Sequence, residues 1–464
     1  MRFLSQFCGK FIGHLEVVGQ DLDRQAAVII GQAVGSEVKA RGKNEVAVGR
    51  DCRLSSPELA SGLIEGLLNC GCQVVDLGVV PTPLVYFSVY YKKKEAAVMI
   101  TGSHNPPEFN GFKIMIGEET LYGPEIQQLF QRIEKKEFSL SDKKGGLSHY
   151  DPIPEYVDYV AAQVKLYRPV KVVIDAGNGT AGPVASQLLK KMGAEVVELY
   201  TEMDGHFPHH HPDPTIPEAL KDLMAKVRET GAELGIAYDG DADRIGAVDE
   251  TGRIIWGDQL MIIFARDILA AHPGATIISE VKASQLLYKE ITRLGGRAIM
   301  WKTGHSLIRK KIKEEKALLA GEMSGHIFFA ERWFGFDDAI YASARLLEIV
   351  SRSQEKVSRF LSDLPEMFNT PEIRIYASDE VKFRIVELVK EELKKDPEVK
   401  EIIDIDGVRA VYESGWGLLR ASNTQPVLVL RFEATSQEEL QNIRNRVQAA
   451  MEKVIKGLTQ NNKS

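Results

Sequence analysis

The chain has 464 residues, 44% apolar and 27% charged, the balance of a folded globular protein, so disorder over most of its length is excluded. At about 100–200 residues per domain, that length gives roughly three or four domains. Lys and Arg number 58 against 65 Asp and Glu, a formal charge of −7 that argues against a sequence-wide affinity for nucleic acid or anionic membrane, although a few local cations can still hold a small anion.

Strand-like and helix-like segments alternate along the chain, which predicts an α/β architecture built from βαβ units. Glu45–Gly49 reads as a strand, Pro57–Leu68 as a helix, Gln73–Leu77 as a second strand and Ala96–Thr101 as a buried strand entering a loop rich in Gly and Pro. After the polar stretch Lys135–Tyr150 the pattern restarts, with strands Val170–Asp175 and Glu233–Tyr238. A third round holds helix Leu260–Ala271 and strands Ala275–Val281, Arg297–Trp301 and Ala317–Ala320. Beyond Pro365 the strands Glu372–Tyr376, Val408–Val411, Leu418–Leu419 and Val427–Phe432, with helices Val381–Lys395 and Gln437–Lys456, predict a small α+β domain; the polar tail Gly457–Ser464 is expected to be disordered. The expected domains are 1–150, 151–255, 256–365 and 366–464.

Four loops concentrate polar residues at strand ends. In Thr101–Lys113 a serine after glycine, Ser103, is open to close approach, and His104 and Lys113 can accept a proton or pair with phosphate; an ordinary Asn-Pro-Pro turn is the plainer reading. Asp239, Asp241 and Asp243 alternate in a tight loop, a hard-oxygen cage for Mg²⁺ or Ca²⁺, and Arg244 beside them suits an anion shared with the metal. An EF-hand is rejected, because its sixth position needs glycine and holds Arg244, and the flanks read as strands. Gly321–His326 offers Glu322, Ser324 and His326 to sugar hydroxyls, or is simply a hairpin; upstream, Lys302-Thr303-Gly304-His305 can open a helix toward an anion. Arg420-Ala421-Ser422-Asn423-Thr424 combines a guanidinium, two hydroxyls and an amide in a turn, a phosphate cradle if not a plain surface turn.

Other features carry less. The His206, His209, His210, His211 tract is interleaved with prolines and reads as a rigid loop rather than a zinc site. Cys8, Cys52, Cys70 and Cys72 are too sparse for a disulfide scaffold or a structural zinc. No run of about 18 apolar residues predicts a transmembrane helix. The opening residues do not read as a signal peptide, so a cytoplasmic enzyme is expected.

A serine, a metal cage, a sugar reader and a phosphate cradle in one chain point to phosphoryl transfer on a phosphosugar. Thr101–Lys113, Asp239–Arg244, Gly321–His326 and Arg420–Thr424 resemble, in order and spacing, the four signature loops of the α-D-phosphohexomutases, and the Gly-Glu-Met-Ser-Gly-His form of the third is most similar to the phosphomannomutase/phosphoglucomutase branch. The resemblance covers essentially the whole chain. It implies three similar mixed α/β domains, bearing the phosphoserine, metal-binding and sugar-binding loops, and a TBP-like α+β domain with the phosphate-binding loop, around a central cleft. It also implies Ser103 phosphorylated, Mg²⁺ on Asp239, Asp241, Asp243 and the phosphoserine oxygen, Lys113 as proton carrier with His104 and Arg244 beside it, and Arg53, Lys282, Lys302 and His305 among the substrate-binding residues with Glu322, Ser324, His326, Arg420, Ser422, Asn423 and Thr424.

The implied reaction is interconversion of hexose 1-phosphate and 6-phosphate, mannose and glucose alike, through a 1,6-bisphosphate that also serves as activator. A metal-dependent sugar phosphatase and a weakened phosphosugar-binding protein are the alternatives. A monomer or weak homo-oligomer without nucleic-acid or membrane partners is expected. The resemblance breaks at one place. Family members begin with a strand carrying Tyr-Asp-Ile-Arg-Gly, whose Tyr and Arg line the cleft, where this chain reads Phe11-Ile12-Gly13-His14-Leu15-Glu16 before Val17-Val18-Gly19-Gln20 resumes. Ile12 and Leu15 stand for that Tyr and Arg, and an apolar pair can neither neutralise phosphate nor hydrogen-bond a sugar. Either Lys10 or His14 compensates or the site is weakened, and a slower mutase is expected.

Overall fold

The computed structural model describes residues 16–19, 22–422 and 425–461. The readings that fall on Cys8, Lys10, Phe11, Ile12, Gly13, His14, Leu15, Gln20, Asn423 and Thr424 lie outside them. Among the described helices none is long and apolar enough to cross a membrane.

One strand arrangement recurs three times. In the first unit Glu45–Arg50 is central, with Gln73–Val79 parallel on one side, Ala96–Ile100 parallel on the other, and Phe112–Ile116 antiparallel beyond. In the second, Lys171–Asp175 is flanked by the parallel strands Glu195–Leu199 and Leu234–Tyr238, followed by antiparallel Ile245–Asp249. In the third, Thr276–Glu280 is flanked by Arg297–Trp301 and Leu319–Gly321, followed by antiparallel Ile327–Phe329. The central strands are buried along nearly their whole length because helices cover both faces of such sheets.

The repeat places chemistry. In each unit the turn from the third strand into the antiparallel fourth falls at the same edge, and those turns hold Ser103, the aspartates 239, 241 and 243, and Glu322 with His326. Parallel strands release their loops at the carboxyl edge, where α/β sheets bind ligands.

One continuous core joins the first three units: Leu84 and Phe87, Val172 and Ile174, and Leu260 and Tyr341 belong to a single buried cluster. Phe87 stacks on Trp333 at 6.0 Å and meets Tyr156 edge-on at 5.4 Å, which ties the units together at an aromatic knot. The remainder is an antiparallel sheet of Glu401–Ile403, Val408–Val411, Gly415–Ala421 and Val427–Ala434, edged by Phe368–Asn369 and Ile373–Tyr376. Helices Lys382–Leu393 and Gln437–Asn461 complete its core, with Val389, Leu419, Phe432 and Val447.

The tail expectation is corrected: the last helix runs on to Asn461, because Ile455 and Leu458 continue its apolar stripe onto the core and Thr459 Oγ1 donates to the Ile455 carbonyl. The polar stretch before Tyr150 also contains an edge strand, Leu147–His149, paired parallel to Gln73–Val79.

Candidate active site

The loop after Ala96–Ile100 is held from below by one arginine. Arg53, 1% exposed, donates to four of that loop's carbonyls, Nη1 to those of Pro106 (2.5 Å) and Phe109 (3.1 Å) and Nη2 to those of Ser103 (2.8 Å) and Asn105 (2.6 Å), while Nε donates to Asp51 Oδ2 (3.1 Å). A guanidinium carries five N–H groups, and all are engaged. This corrects Arg53 as a substrate-binding residue: it lies beside Ser103 but serves as a clamp under the loop, with no donor left for a ligand.

The clamp supports strain. Ser103 sits at φ +49°, a left-handed conformation that costs a non-glycine residue on the order of 1 kcal/mol, and its N–H is fixed on Thr101 Oγ1 at 2.8 Å. The result aims the hydroxyl outward from the first unit into the second. Ser103 Oγ donates to Asp239 Oδ2 at 2.7 Å and lies 3.2 Å from His104 Nδ1. The two loops touch so closely that a Cβ on Gly240 would stand 2.4 Å from the Ser103 carbonyl, so glycine is required there.

The loop 239–244 is a hairpin turn between Leu234–Tyr238 and Ile245–Asp249, not the helix-flanked loop of an EF-hand. Ala242, at φ +62°, lets the chain fold back so that Asp239, Asp241 and Asp243 converge with ligand oxygens within 4.8 Å of one another, all fully buried. Asp239 Oδ1 is held by the N–H groups of Asp243 and Arg244, both at 3.1 Å. Lys113, on the fourth strand of the first unit, donates to Asp241 Oδ2 (2.6 Å) and Asp243 Oδ2 (2.5 Å). Asp241 Oδ1 and Asp243 Oδ1 are buried without a hydrogen-bond partner. Unpartnered buried carboxylate oxygens are costly unless a cation meets them, so the trio fits a hard divalent ion such as Mg²⁺.

The electrostatics divide the roles. Burial and the charges of Asp243 and Asp241 push the Asp239 carboxyl well above its ordinary range. Burial also opposes ionisation of Asp241 and Asp243, but the Lys113 ammonium keeps both below it. Burial likewise disfavours the Lys113 charge, yet Asp241 and Asp243 raise its pKa well above a free lysine's, so it remains an ammonium. Burial, followed by the Arg244 charge, drives His104 well below a free imidazole, leaving it neutral at pH 7.

The third loop is zipped to the second. Arg244 and His326 form a backbone bridge, and Arg244 Nε donates to His326 Nε2 at 2.9 Å. His326 Nδ1 lies 3.0 Å from Asp337 Oδ2, and His305, at the start of helix His305–Glu315, lies 3.9 Å from the same oxygen. Glu322 Oε1 accepts the Gly304 N–H at 2.7 Å, so Glu322 and the 302–305 loop are one structure. The sequence 321–326 is therefore both a hairpin and a polar cluster. Ser324 is half-buried and Lys302 exposed. Lys282 Nζ is buried 3.3 Å from Glu372 Oε1. In the last unit, Arg420 Nε donates to Asp406 Oδ2 (3.0 Å) and Nη2 to Asp406 Oδ1 (3.4 Å), while the Ser422 hydroxyl accepts the Gln425 N–H at 3.1 Å.

Sequence reading missed three partners: Thr82, whose Oγ1 donates to Asp241 Oδ2 at 2.5 Å, together with Asp337 and Asp406. Thr82 stands between two prolines at a strand end and Asp337 in the pair Asp337-Asp338, so composition hinted at both without saying whom they meet. The histidine tract is structural: His209 Nδ1 lies 2.7 Å from Asn178 Oδ1 and His210 Nε2 3.0 Å from buried Asp175.

Comparison with known proteins agrees with this layout. Models of the phosphoglucomutase/phosphomannomutase family match in series: alpha/beta/alpha domain I over residues 12–140, domain II over 154–252, domain III over 256–368 and the C-terminal domain over 380–450. The chain is 52% identical over 430 residues to a phosphomannomutase/phosphoglucomutase of Pseudomonas aeruginosa, covering 92% of each. It is 47% identical to a phosphoglucomutase of Neisseria gonorrhoeae, covering 94% of this chain and 95% of that one. Its fold superposes on a crystal structure of a phosphoglucomutase/phosphomannomutase family protein from Burkholderia thailandensis with a TM-score of 0.90 at 44% identity, covering 95% and 96% of the two chains.

Proposed function

The chain belongs to the phosphoglucomutase/phosphomannomutase family, and we propose that it works by carrying a phosphoryl group on Ser103 between O1 and O6 of a hexose. It is a phosphohexose mutase, an intramolecular phosphotransferase acting on mannose or glucose phosphates. The observation that carries the serine route is the contact of Ser103 Oγ with Asp239 at 2.7 Å, across two units, inside the carboxylate trio.

Phosphoryl transfer asks for positioning and charge neutralisation more than for covalent manipulation. Asp239, Asp241 and Asp243 would hold Mg²⁺ together with a phosphoserine oxygen. When bound, Mg²⁺ neutralises charge on the transferring group. The chain's own residues do the rest. The Arg53 clamp and the Ser103 backbone conformation fix the oxygen that gives up and regains the phosphoryl group. When the sugar hydroxyl takes that group, the Ser103 oxygen leaves and the hydroxyl loses a proton. In the return step, when Ser103 regains the group, Oγ gives up its proton, for which neutral His104, 3.2 Å away, suits as acceptor, and the leaving sugar oxygen gains one, for which Lys113, an ammonium in the resting site, is the donor.

The bisphosphate must turn over so that its other phosphate meets Ser103. Arg420 and Ser422 would take either phosphate, a role the family resemblance also gives to Asn423 and Thr424, and Glu322 and Ser324 would read hydroxyls that look alike after the turn. Lys282, Lys302 and His305 complete the substrate-binding set. The expected domains 1–150, 151–255, 256–365 and 366–464 then each contribute one loop, and hexose 1,6-bisphosphate would restore the phosphoserine when the intermediate escapes. Intact-mass spectrometry after incubation with hexose 1,6-bisphosphate tests the serine route. The parent should gain one phosphate and Ser103→Ala none; a phosphate on Ser103→Ala overturns the assignment.

A further inference from the structure

Asp406 holds the Arg420 guanidinium by its Nε side, at 3.0 Å to Oδ2 and 3.4 Å to Oδ1, and the same Oδ2 accepts the Thr303 N–H at 3.0 Å. Thr303 opens the 302–305 loop of the third unit, whose Gly304 N–H is in turn held by Glu322. One carboxylate thus couples the arginine of the last unit to the loop of the third. The turn carrying Asp406 is built for this approach. Gly407, at φ +88°, has its Cα hydrogen directed at the arginine strand, and a Cβ there would stand 2.5 Å from the Leu419 carbonyl and 2.6 Å from Arg420 Cβ.

A guanidinium offers two edges for bidentate recognition, and a carboxylate on the Nε side fixes its plane and presents the Nη1–Nη2 edge. A free arginine side chain would instead lose rotamer freedom, up to about 2 kcal/mol, each time it captured a phosphate. We infer that Asp406 is a positioning residue for phosphate capture: it orients Arg420 and braces it against the Thr303 loop, so that the guanidinium is set before a phosphosugar arrives. The inference rests on the reading of Arg420 as the phosphate ligand.

The test compares steady-state kinetics of the parent, Asp406→Asn, Arg420→Ala and the double variant with hexose 1-phosphate and with hexose 6-phosphate. Asp406→Asn, which keeps an acceptor for Thr303 but loses the charge, should raise KM about five- to tenfold for both substrates and change kcat less than about twofold. In the Arg420→Ala background the same change should leave KM where Arg420→Ala alone puts it. A merely structural role would lower the active fraction, and hence kcat, at unchanged KM. Asp406→Ser, read by the same criteria, replaces the amide variant if that one loses the parental thermal transition. An unchanged or lowered KM, or an equal KM rise with and without Arg420, overturns the inference. If Arg420→Ala itself leaves KM unchanged, the phosphate-cradle reading is what has failed.

Discussion

Ser103 and Arg420 both stand at the ends of strands, yet the protein secures them differently. Ser103 is fixed through the backbone of its loop: Arg53 donates to four of that loop's carbonyls, Ser103's among them, and a left-handed φ and a hydrogen bond to Asp239 set the direction of its oxygen. The Arg420 guanidinium is held by its Nε side on one carboxylate, Asp406, from a neighbouring turn. The transferring oxygen belongs to a step where small displacements cost rate, so rigidity falls there. On the proposed mechanism Arg420 accepts an intermediate in two orientations, and a side-chain tether gives its guanidinium direction.

If this contrast is right, damage near Ser103 should appear in kcat and damage near Arg420 in KM. The largest effect belongs to Ser103→Ala, which removes the carrier oxygen and should lower mutase turnover by at least about a thousandfold; a coupled assay for hexose 6-phosphate measures it. Asp241→Asn should lower kcat about a hundredfold with a much smaller change in KM, because the ion it helps to hold acts on the transferring group. Titration with Mg²⁺ after EDTA treatment should then show a higher metal requirement than the parent. An unchanged kcat would detach Asp241 from the chemistry.

Arg53→Lys probes the clamp itself. Lysine has three donors on a flexible stem against five in a rigid fork, so several loop carbonyls lose partners and unfolding stability should fall by about 2–4 kcal/mol. Turnover should fall with KM nearly kept, which sharpens the contrast; a rise in KM alone would restore Arg53 to the substrate-binding set. Arg420→Ala should raise KM by about tenfold or more for the 1- and the 6-phosphate alike, since one cradle serves both. A rise for only one of them breaks the shared-cradle account. The smallest effect is expected at the N-terminal stretch, where Ile12→Tyr with Leu15→Arg should raise kcat/KM a few-fold; no gain would make that departure neutral.

The chemistry-bearing loops were legible because their residues are contiguous. Asp239, Asp241 and Asp243 alternate within five residues, and Ser103 follows a glycine at the end of an apolar strand. Partners brought in by the fold were not. Thr82, Asp337 and Asp406 reach the site from other turns, and no local pattern distinguishes them from ordinary turn residues. Arg53 was located near Ser103 but misread, because a buried arginine facing carbonyls and an open one facing phosphate share the same sequence. The likeness of the first three units came from the family resemblance rather than from periodicity, which does not encode the crossovers that set strand order. In the last helix, the polar residues after Lys456 concealed the packing of Leu458.

The central claim is transfer between two positions of one sugar by way of the enzyme's serine. The most direct measurement is phosphorus NMR of the pure protein incubated with mannose 1-phosphate, Mg²⁺ and a trace of hexose 1,6-bisphosphate. The account predicts conversion to mannose 6-phosphate with no accumulation of inorganic phosphate. Release of free phosphate would make the protein a phosphatase, and an unchanged spectrum would reduce it to a phosphosugar-binding protein; either result contradicts the account.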